Sequence, residues 1–350
     1  MQQLHCSNLG HRYSEPFRMN RLSCQQLQDA LASALPGRKF VVRKLISSRE
    51  NSCVFLATTG TGLAERVAIK CCYQTGTNVP DEATATQQYL ALAAVYRAFQ
   101  AKGMDVLCVA EPVFFDGALA TYGMSWVDGR SLTECMRHSY SRKRVAASFE
   151  LAGTWLGRFH ALGPIRRGSP DIAAQGRHLE VMQEDPVRHA CFLDGAALLQ
   201  SKGFALVSGA ANMSWLHGDC KTDNFMFAGG DVFGIDVALA HESAVEMDLA
   251  MFLNDLDLRL LAPGFIHLAP LQADLRTAFL NGYGALGPSV ELAFLQRLRL
   301  WFALTLWHSS IVEQQPRRLK RWYVNWVFSR LVRHLVRTDS ITQWHGSAVR

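Results

Sequence analysis

The stretch WLHGDCKTDNFMF, residues 215–227, sets His217, Gly218, Asp219, Lys221 and Asn224 close together inside an apolar frame of Trp215, Leu216, Phe225, Met226 and Phe227. Polar groups flanked in this way are partly withdrawn from water, where each must be paired or put to chemical use. The stretch is therefore an ordered turn or a site. Twelve residues after Asn224 comes Asp236, in the strand-like run GIDV.

Upstream of this stretch the chain reads as a small mixed lobe. Leu27, Ala30, Leu31 and Leu35 have helical spacing and end at Pro36-Gly37. Strand-like runs follow at 40–46, 53–58 and 66–72, with Gly60 and Gly62 as the turn between the last two. An Ala-, Leu- and Gln-rich helix is expected over about 82–100, then two strands at 106–115 and 119–127 separated by Asp116-Gly117. From Ser131 onward the pattern is almost all helical, broken around 215–238, where VFGIDVAL alternates like a short strand pair with Gly229-Gly230-Asp231 as its turn. The simplest architecture joins the two parts near Trp126–Gly129.

The chain of 350 residues is 49% hydrophobic and 19% charged, as expected of a folded protein with room for two lobes. No apolar run reaches the roughly 18–20 residues of a membrane span, and the first residues lack a secretory-type apolar segment, so a cytoplasmic location is expected. Nine scattered cysteines without CxxC spacing point to reduced thiols rather than disulfides or zinc. The net charge of +6 is local. Residues 316–337 hold seven Arg or Lys and no acid, so the remainder is −1, which argues against a nucleic-acid-binding face.

The polar residues around Asp219 fit phosphoryl transfer. A carboxylate beside a hydroxyl substrate acts as general base, while an Asn carbonyl and a second carboxylate suit Mg²⁺, a hard cation that takes few protein oxygens alongside phosphate oxygens. A lysine two residues after the base offsets charge on the transferring group. Taken singly, Asp219 reads as a helix cap, His217 as a core histidine and Lys70 as the end of an edge strand. Together they read otherwise: H-G-D-x-x-x-x-N arises by chance in roughly one chain in a thousand of this length.

HGDCKTDN at 217–224, IDVALAHESAVEMDLA at 235–250 and VAIK at 67–70 resemble the aminoglycoside phosphotransferase and choline kinase group, from about Phe40 to Leu256. The resemblance implies an α+β, two-lobed protein-kinase-like fold: a small N-terminal antiparallel sheet with one helix, and a larger, mainly helical C-terminal lobe. Its implied domains are a helical extension (1–36), a nucleotide-binding lobe (37–127), a lobe with the catalytic loop and acceptor site (128–315) and a basic amphipathic tail (316–350). By position, Asp219 would be the base, Asn224 and Asp236 the Mg²⁺ ligands, Lys70 the lysine on the α- and β-phosphates, and His217 and Asp248 supports of the loop. Lys221 stands where the group often has His and looks more like the D-x-K-x-x-N of protein kinases. The donor would be ATP or GTP and the acceptor a small-molecule hydroxyl.

Some positions depart from the pattern. The turn SSRENS at 47–52 has no glycine, so phosphate cover would fall to Ser48, Asn51 or Ser52. Glu82 is the only Glu in its helix region to pair with Lys70, although it lies about one turn early; a carboxylate favoured by the helix dipole is the alternative. Val237-Ala238 after Asp236 argues against a phosphorylation-controlled loop and a protein acceptor. YGMSWVDGRSL at 122–132 resembles the lobe linker, whose Ser125, Trp126 and Val127 backbone would meet the adenine. Asp255 and Asp257 are candidates for a cationic acceptor, set against plain surface charge, and His160 reads as a packing residue. The tail places Leu319, Trp322, Tyr323, Trp326 and Val327 on one face, either to meet an anionic membrane or to pack on the lobe. A non-catalytic nucleotide sensor with the same fold is the competing reading, supported by the glycine-free turn and the displaced Glu82.

Overall fold

Every residue of RVAIKCC after Arg66 is buried, which requires a sheet covered on both faces. The computed structural model describes residues 23–35, 37, 39–59, 66–102, 109–139, 141–170, 173–184, 187–202, 210–237 and 242–340. They fall into two compact units, residues 1–129 with 228–239, and residues 130–227 with 240–350.

The first unit holds α1 (Cys24–Ala34), β1 (Phe40–Arg49), β2 (Ser52–Thr59), β3 (Arg66–Cys72), α2 (Glu82–Ala101), β4 (Pro112–Asp116) and β5 (Thr121–Ser125). The antiparallel sheet runs β1-β2-β3-β5-β4. α1 starts on a Ser23–Gln26 capping box. Its Leu27 and Leu31 enter one core with Phe55, Val67, Ile69 and Cys71 of the sheet. The expected helical extension thus packs on the N-terminal sheet; residues 1–22 lie outside the described residues, as do Gly60 and Gly62. On β3 the alternate residues Ala68, Lys70 and Cys72 face the other way, and α2 packs against β3, β4 and β5. Of the strand expected at 106–115, residues 106–108 lie outside the described residues, and β4 starts later than 109. It begins at Pro112 on the sheet edge, where a missing N–H costs no ladder bond. Gly123 lets the Phe114 ring lie flat on its strand: a Cβ there would stand 2.2 Å from the ring.

Asp231–Gly234 of this unit is a strand, and Gly234 makes a parallel bridge to Val109. The expected alternation through VFGIDVAL stops there because Asp236 takes a left-handed backbone, φ +57°.

The second unit is mainly helical: α3 (Leu132–His138), α4 (Arg142–His160), α5 (Ala173–Glu184), α6 (Ala190–Lys202), α7 (Glu246–Leu260), α8 (Gln272–Leu286), α9 (Leu292–His308) and α10 (Arg318–Ser340). Short strands at Arg166–Gly168, Ala211–Trp215 and Glu242–Ala244 pair antiparallel beside them. α4 and α8 cross at backbone contact. A Cβ on Gly153 would stand 2.0 Å from the Phe279 carbonyl oxygen, and one on Gly282 1.9 Å from that of Glu150.

α10 takes the second of the two readings of the tail, packing on its own lobe, with a shifted face. Its buried stripe is Val324, Val327, Phe328, Leu331, Val332 and Leu335, packed against α6, α7 and α9, and Asn325 accepts from the Trp307 indole at 2.8 Å. Of the apolar face expected from the sequence, Val327 is buried, Tyr323 and Trp326 half-buried, and Leu319 and Trp322 exposed. The longer run at 324–335 sets the helix rotation, so most of the apolar face is spent on intramolecular packing. No described helix is long and apolar enough to cross a membrane.

Candidate active site

In the second unit the chain leaves the strand Ala211–Trp215, makes a left-handed turn at Gly218 (φ +78°), and closes with a 3₁₀ turn at Thr222–Asn224. The positive φ explains the glycine between His217 and Asp219. The turn has no regular ladder, so its N–H groups need other acceptors. Asp248, buried in the first turn of α7, provides them: its two oxygens accept from the N–H groups of His217 (2.6 Å) and Gly218 (3.0 Å).

His160, at the end of α4, donates from Nε2 to the same Asp248 carboxylate at 3.0 Å, and its Nδ1 lies 3.0 Å from the Tyr283 hydroxyl of α8. Burial pushes the Asp248 carboxyl up, but the His160 hydrogen bond and the His217 N–H outweigh it and hold the group below its ordinary range. His160 is therefore a packing residue with a second task, as part of the support beneath the loop. Nothing in its local sequence signals that, because its partners lie 88 and 123 residues away.

Above this support Asp219, Lys221 and Asn224 form one cluster. Lys221 Nζ reaches Asp219 Oδ2 at 2.5 Å. Asn224 donates from Nδ2 to the Asp219 carbonyl (2.7 Å) and to Oδ2 (3.0 Å). Both Asn224 contacts use its nitrogen, which leaves the amide oxygen, the atom type a hard cation takes, outside these two bonds. Asp219 keeps a third of its side chain exposed while Asn224 is buried, so the carboxylate is the member that a solute can reach.

The sides of the loop are clamped by residues whose part in it sequence reading missed. Asp255 accepts from the Thr222 N–H (2.9 Å) and hydroxyl (2.6 Å), and Arg259 bridges Asp255 (2.9 Å) and Asp223 (2.5 Å). Thr133 bonds the Thr222 hydroxyl at 2.9 Å. Asp257 is buried and paired with Arg276 and Arg299, with Gln272 donating at 2.9 Å. Neither acid is a plain surface charge: an Asp on α7 turned inward finds arginines of α7, α8 and α9.

In the first unit Lys70 Nζ donates to Asp236 Oδ1 at 3.0 Å; Lys70 is 7% exposed. Burial disfavours the ammonium, but Asp236 more than compensates, and the lysine is held well above its ordinary range. The neighbouring Cys72 thiol is pushed up to about 11 by burial. Glu82 is exposed in the first turn of α2 with its carboxyl over Gly117, and among the described residues it makes no ion pair with Lys70. The α2 side chain that turns toward β3 and β5 is Gln88, whose amide oxygen accepts from the Tyr122 hydroxyl at 3.1 Å and the Cys72 thiol at 3.8 Å.

The turn after β1 is a tight hairpin closed by Arg49 and Ser52. Ser48 accepts from the Cys53 thiol at 3.5 Å, and the Asn51 carbonyl accepts from the Tyr73 N–H. After β5, the Ser125 and Trp126 N–H groups bond the carbonyls of Glu111 and Arg66. Of the three residues expected at a base edge, Val127 is the one whose N–H makes no bond among the described residues.

A model of the family described as "Phosphotransferase enzyme family" matches residues 35–304. No curated protein matches the sequence significantly. Among solved structures the chain is similar to the amicoumacin kinase hAmiN in complex with AMP-PNP, Ca²⁺ and Ami, at 14% identity and TM-score 0.59 over 90% of this chain and 93% of that one. It is also similar to a choline/ethanolamine kinase family protein from Mesorhizobium loti, at 14% identity and TM-score 0.58 over 90% and 95% of the two chains. A third is the choline kinase LicA from Streptococcus pneumoniae, at 14% identity and TM-score 0.53 over 89% and 98%. At these identities the likeness is one of fold, and the fold is kinase-like.

Proposed function

The chain belongs to the phosphotransferase enzyme family, and from the residues assembled above we propose that it is a small-molecule kinase, moving the γ-phosphoryl group of ATP or GTP to an acceptor hydroxyl with Mg²⁺. The observation that carries this reading is the cluster of Asp219, Lys221 and Asn224 held on the Asp248 support. Asp219 is the exposed carboxylate of the cluster and the group we assign to take the acceptor proton. Lys221 stands beside it as the cation that offsets charge on the transferring group.

Lys70 is assigned to the α- and β-phosphates and the Val127 N–H to the base edge. Ser48 and Asn51 are the polar side chains of the glycine-free hairpin that we assign to the phosphates in place of a glycine-rich loop. Asn224 and Asp236 supply the amide and carboxylate oxygens that suit Mg²⁺, which when bound neutralises phosphate charge. Against a non-catalytic sensor stands the exposed base with its own cation, which binding alone does not require. Seven cysteines among the described residues are free thiols, which supports a cytoplasmic setting.

The test is MgATP and MgGTP turnover with aminoglycosides, amino alcohols, sugars and nucleosides as acceptors. Acceptor-dependent nucleoside diphosphate release is expected, with Asp219→Asn lowering kcat by about a hundredfold or more while nucleotide affinity stays near wild type. Full turnover in Asp219→Asn on the true acceptor would remove the base assignment.

A further inference from the structure

In the first unit Lys70 has one carboxylate partner, Asp236, which the proposed function also assigns to the metal. A divalent cation drawing on that carboxylate weakens its hold on the ammonium, so a lysine positioned only by Asp236 would lose its anchor when the nucleotide arrives. A second anchor is needed, and among the described residues no acid supplies it: Glu82 lies over Gly117, and the α2 side chain facing the strands is the neutral Gln88.

The groups around Lys70 provide another anchor. Tyr122 is its direct partner across the β3–β5 ladder, so the two side chains leave the sheet on the same face. Tyr122 is 3% exposed, and its hydroxyl and the Lys70 ammonium interact electrostatically. The direction of the hydroxyl is fixed from behind. Gln88 Oε1 accepts at 3.1 Å, which commits the single phenolic proton to Gln88 and turns the oxygen lone pairs away from it. Cys72, also on this face, shares the Gln88 oxygen at 3.8 Å and helps to hold the amide in that orientation. An ammonium has three donors; with one on Asp236, the others remain for the phenol oxygen and for phosphate.

We propose that Tyr122, oriented by Gln88, is a positioning residue that anchors Lys70 for the nucleotide, taking the place of a helix carboxylate. The inference rests on the kinase reading and deepens it. Replacing a carboxylate by a polarised hydroxyl keeps the lysine oriented while leaving more of its charge uncompensated, and therefore available to an incoming triphosphate.

The experiment is calorimetric titration of MgATP and MgGTP into wild type, Tyr122→Phe, Gln88→Leu and the double variant Tyr122→Phe/Gln88→Glu. Tyr122→Phe is expected to weaken nucleotide binding about tenfold, the loss of one hydrogen bond to a charged group. Gln88→Leu keeps the phenol but removes the acceptor that Tyr122 and Cys72 share, and should weaken it by a smaller factor of about three. The double variant puts a carboxylate back on α2 and should recover most of the lost affinity, a rescue that a merely structural role for Tyr122 would not give. Gln88 is half-buried, so its variant carries the test if Tyr122→Phe does not fold. Wild-type affinity in both single variants overturns the proposal and leaves the kinase reading intact; wild type binding neither nucleotide overturns both.

Discussion

Replacing Asp248 by Asn isolates the support under the catalytic loop. One carboxylate oxygen serves the His217 N–H and His160 Nε2, and the other serves the Gly218 N–H. An Asn side chain keeps a single oxygen. Seated toward His217 and His160, it points its NH₂ at the Gly218 N–H; seated the other way, it opposes two donors. At least one charge-assisted bond becomes a donor–donor contact at a site with no exposed surface, at a cost of about 2–4 kcal/mol. For a unit of this size that is a fall in Tm of about 5–15 °C. Because the folded pKa of Asp248 lies below its unfolded value of 3.8, its stabilisation is present above about pH 4 and is lost as the pH falls further. The Asn variant lacks this group, so its Tm should vary less steeply with pH below 4 than that of wild type. Calorimetric scans from pH 3 to 7, with turnover at neutral pH, read both effects. A Tm within 1 °C of wild type at pH 7 together with an unchanged acid slope would refute the reasoning.

Two further substitutions probe the packing of the second unit. Gly282→Ala should destabilise by about 3 kcal/mol or more, read by thermal melting, because its Cβ would stand 1.9 Å from the Glu150 carbonyl oxygen and the helices must part to admit it. Asp257→Asn should cost about 3–5 kcal/mol in the same assay, because it strands the buried Arg299, already lowered to about 10 by burial, and half-releases Arg276. Asp257→Asn combined with Arg299→Met should recover part of that loss.

What could be read from the sequence is what sits close together along the chain. HGDCKTDN carries its geometry locally: a glycine at positive φ, then Asp219, Lys221 and Asn224 closing on one another within one turn. The described strands and helices of the N-terminal unit are legible from alternation and from Gly and Pro punctuation, except at the late start of β4 and where Asp236 leaves the extended region. Long-range partners were not legible. Gln88 rather than Glu82 meets the sheet because six residues of helix turn the side chain through more than one and a half turns, and only the docking of α2 decides which of them points inward. Asp255 and Asp257 read as free carboxylates because the arginines that neutralise them are spread over α7, α8 and α9. The tail reads as an amphipathic helix, but its inward stripe lies one position out of register with the face the sequence suggests, because Leu319 and Trp322 resemble its continuation.

The crossing of α4 on α8 has a bearing on how the protein reaches its working state. Glu150 and Gly282 touch through backbone atoms although 132 positions separate them, and the same two helices bring His160 and Tyr283 together. Such a contact closes a long loop, an entropic toll met only once much of the intervening chain is already ordered. The Asp248 carboxylate thus gains its His160 partner late. During refolding, the recovery of enzymatic competence should trail the recovery of helical signal, because the chemistry of residues 217–224 waits on the docking of two distant helices.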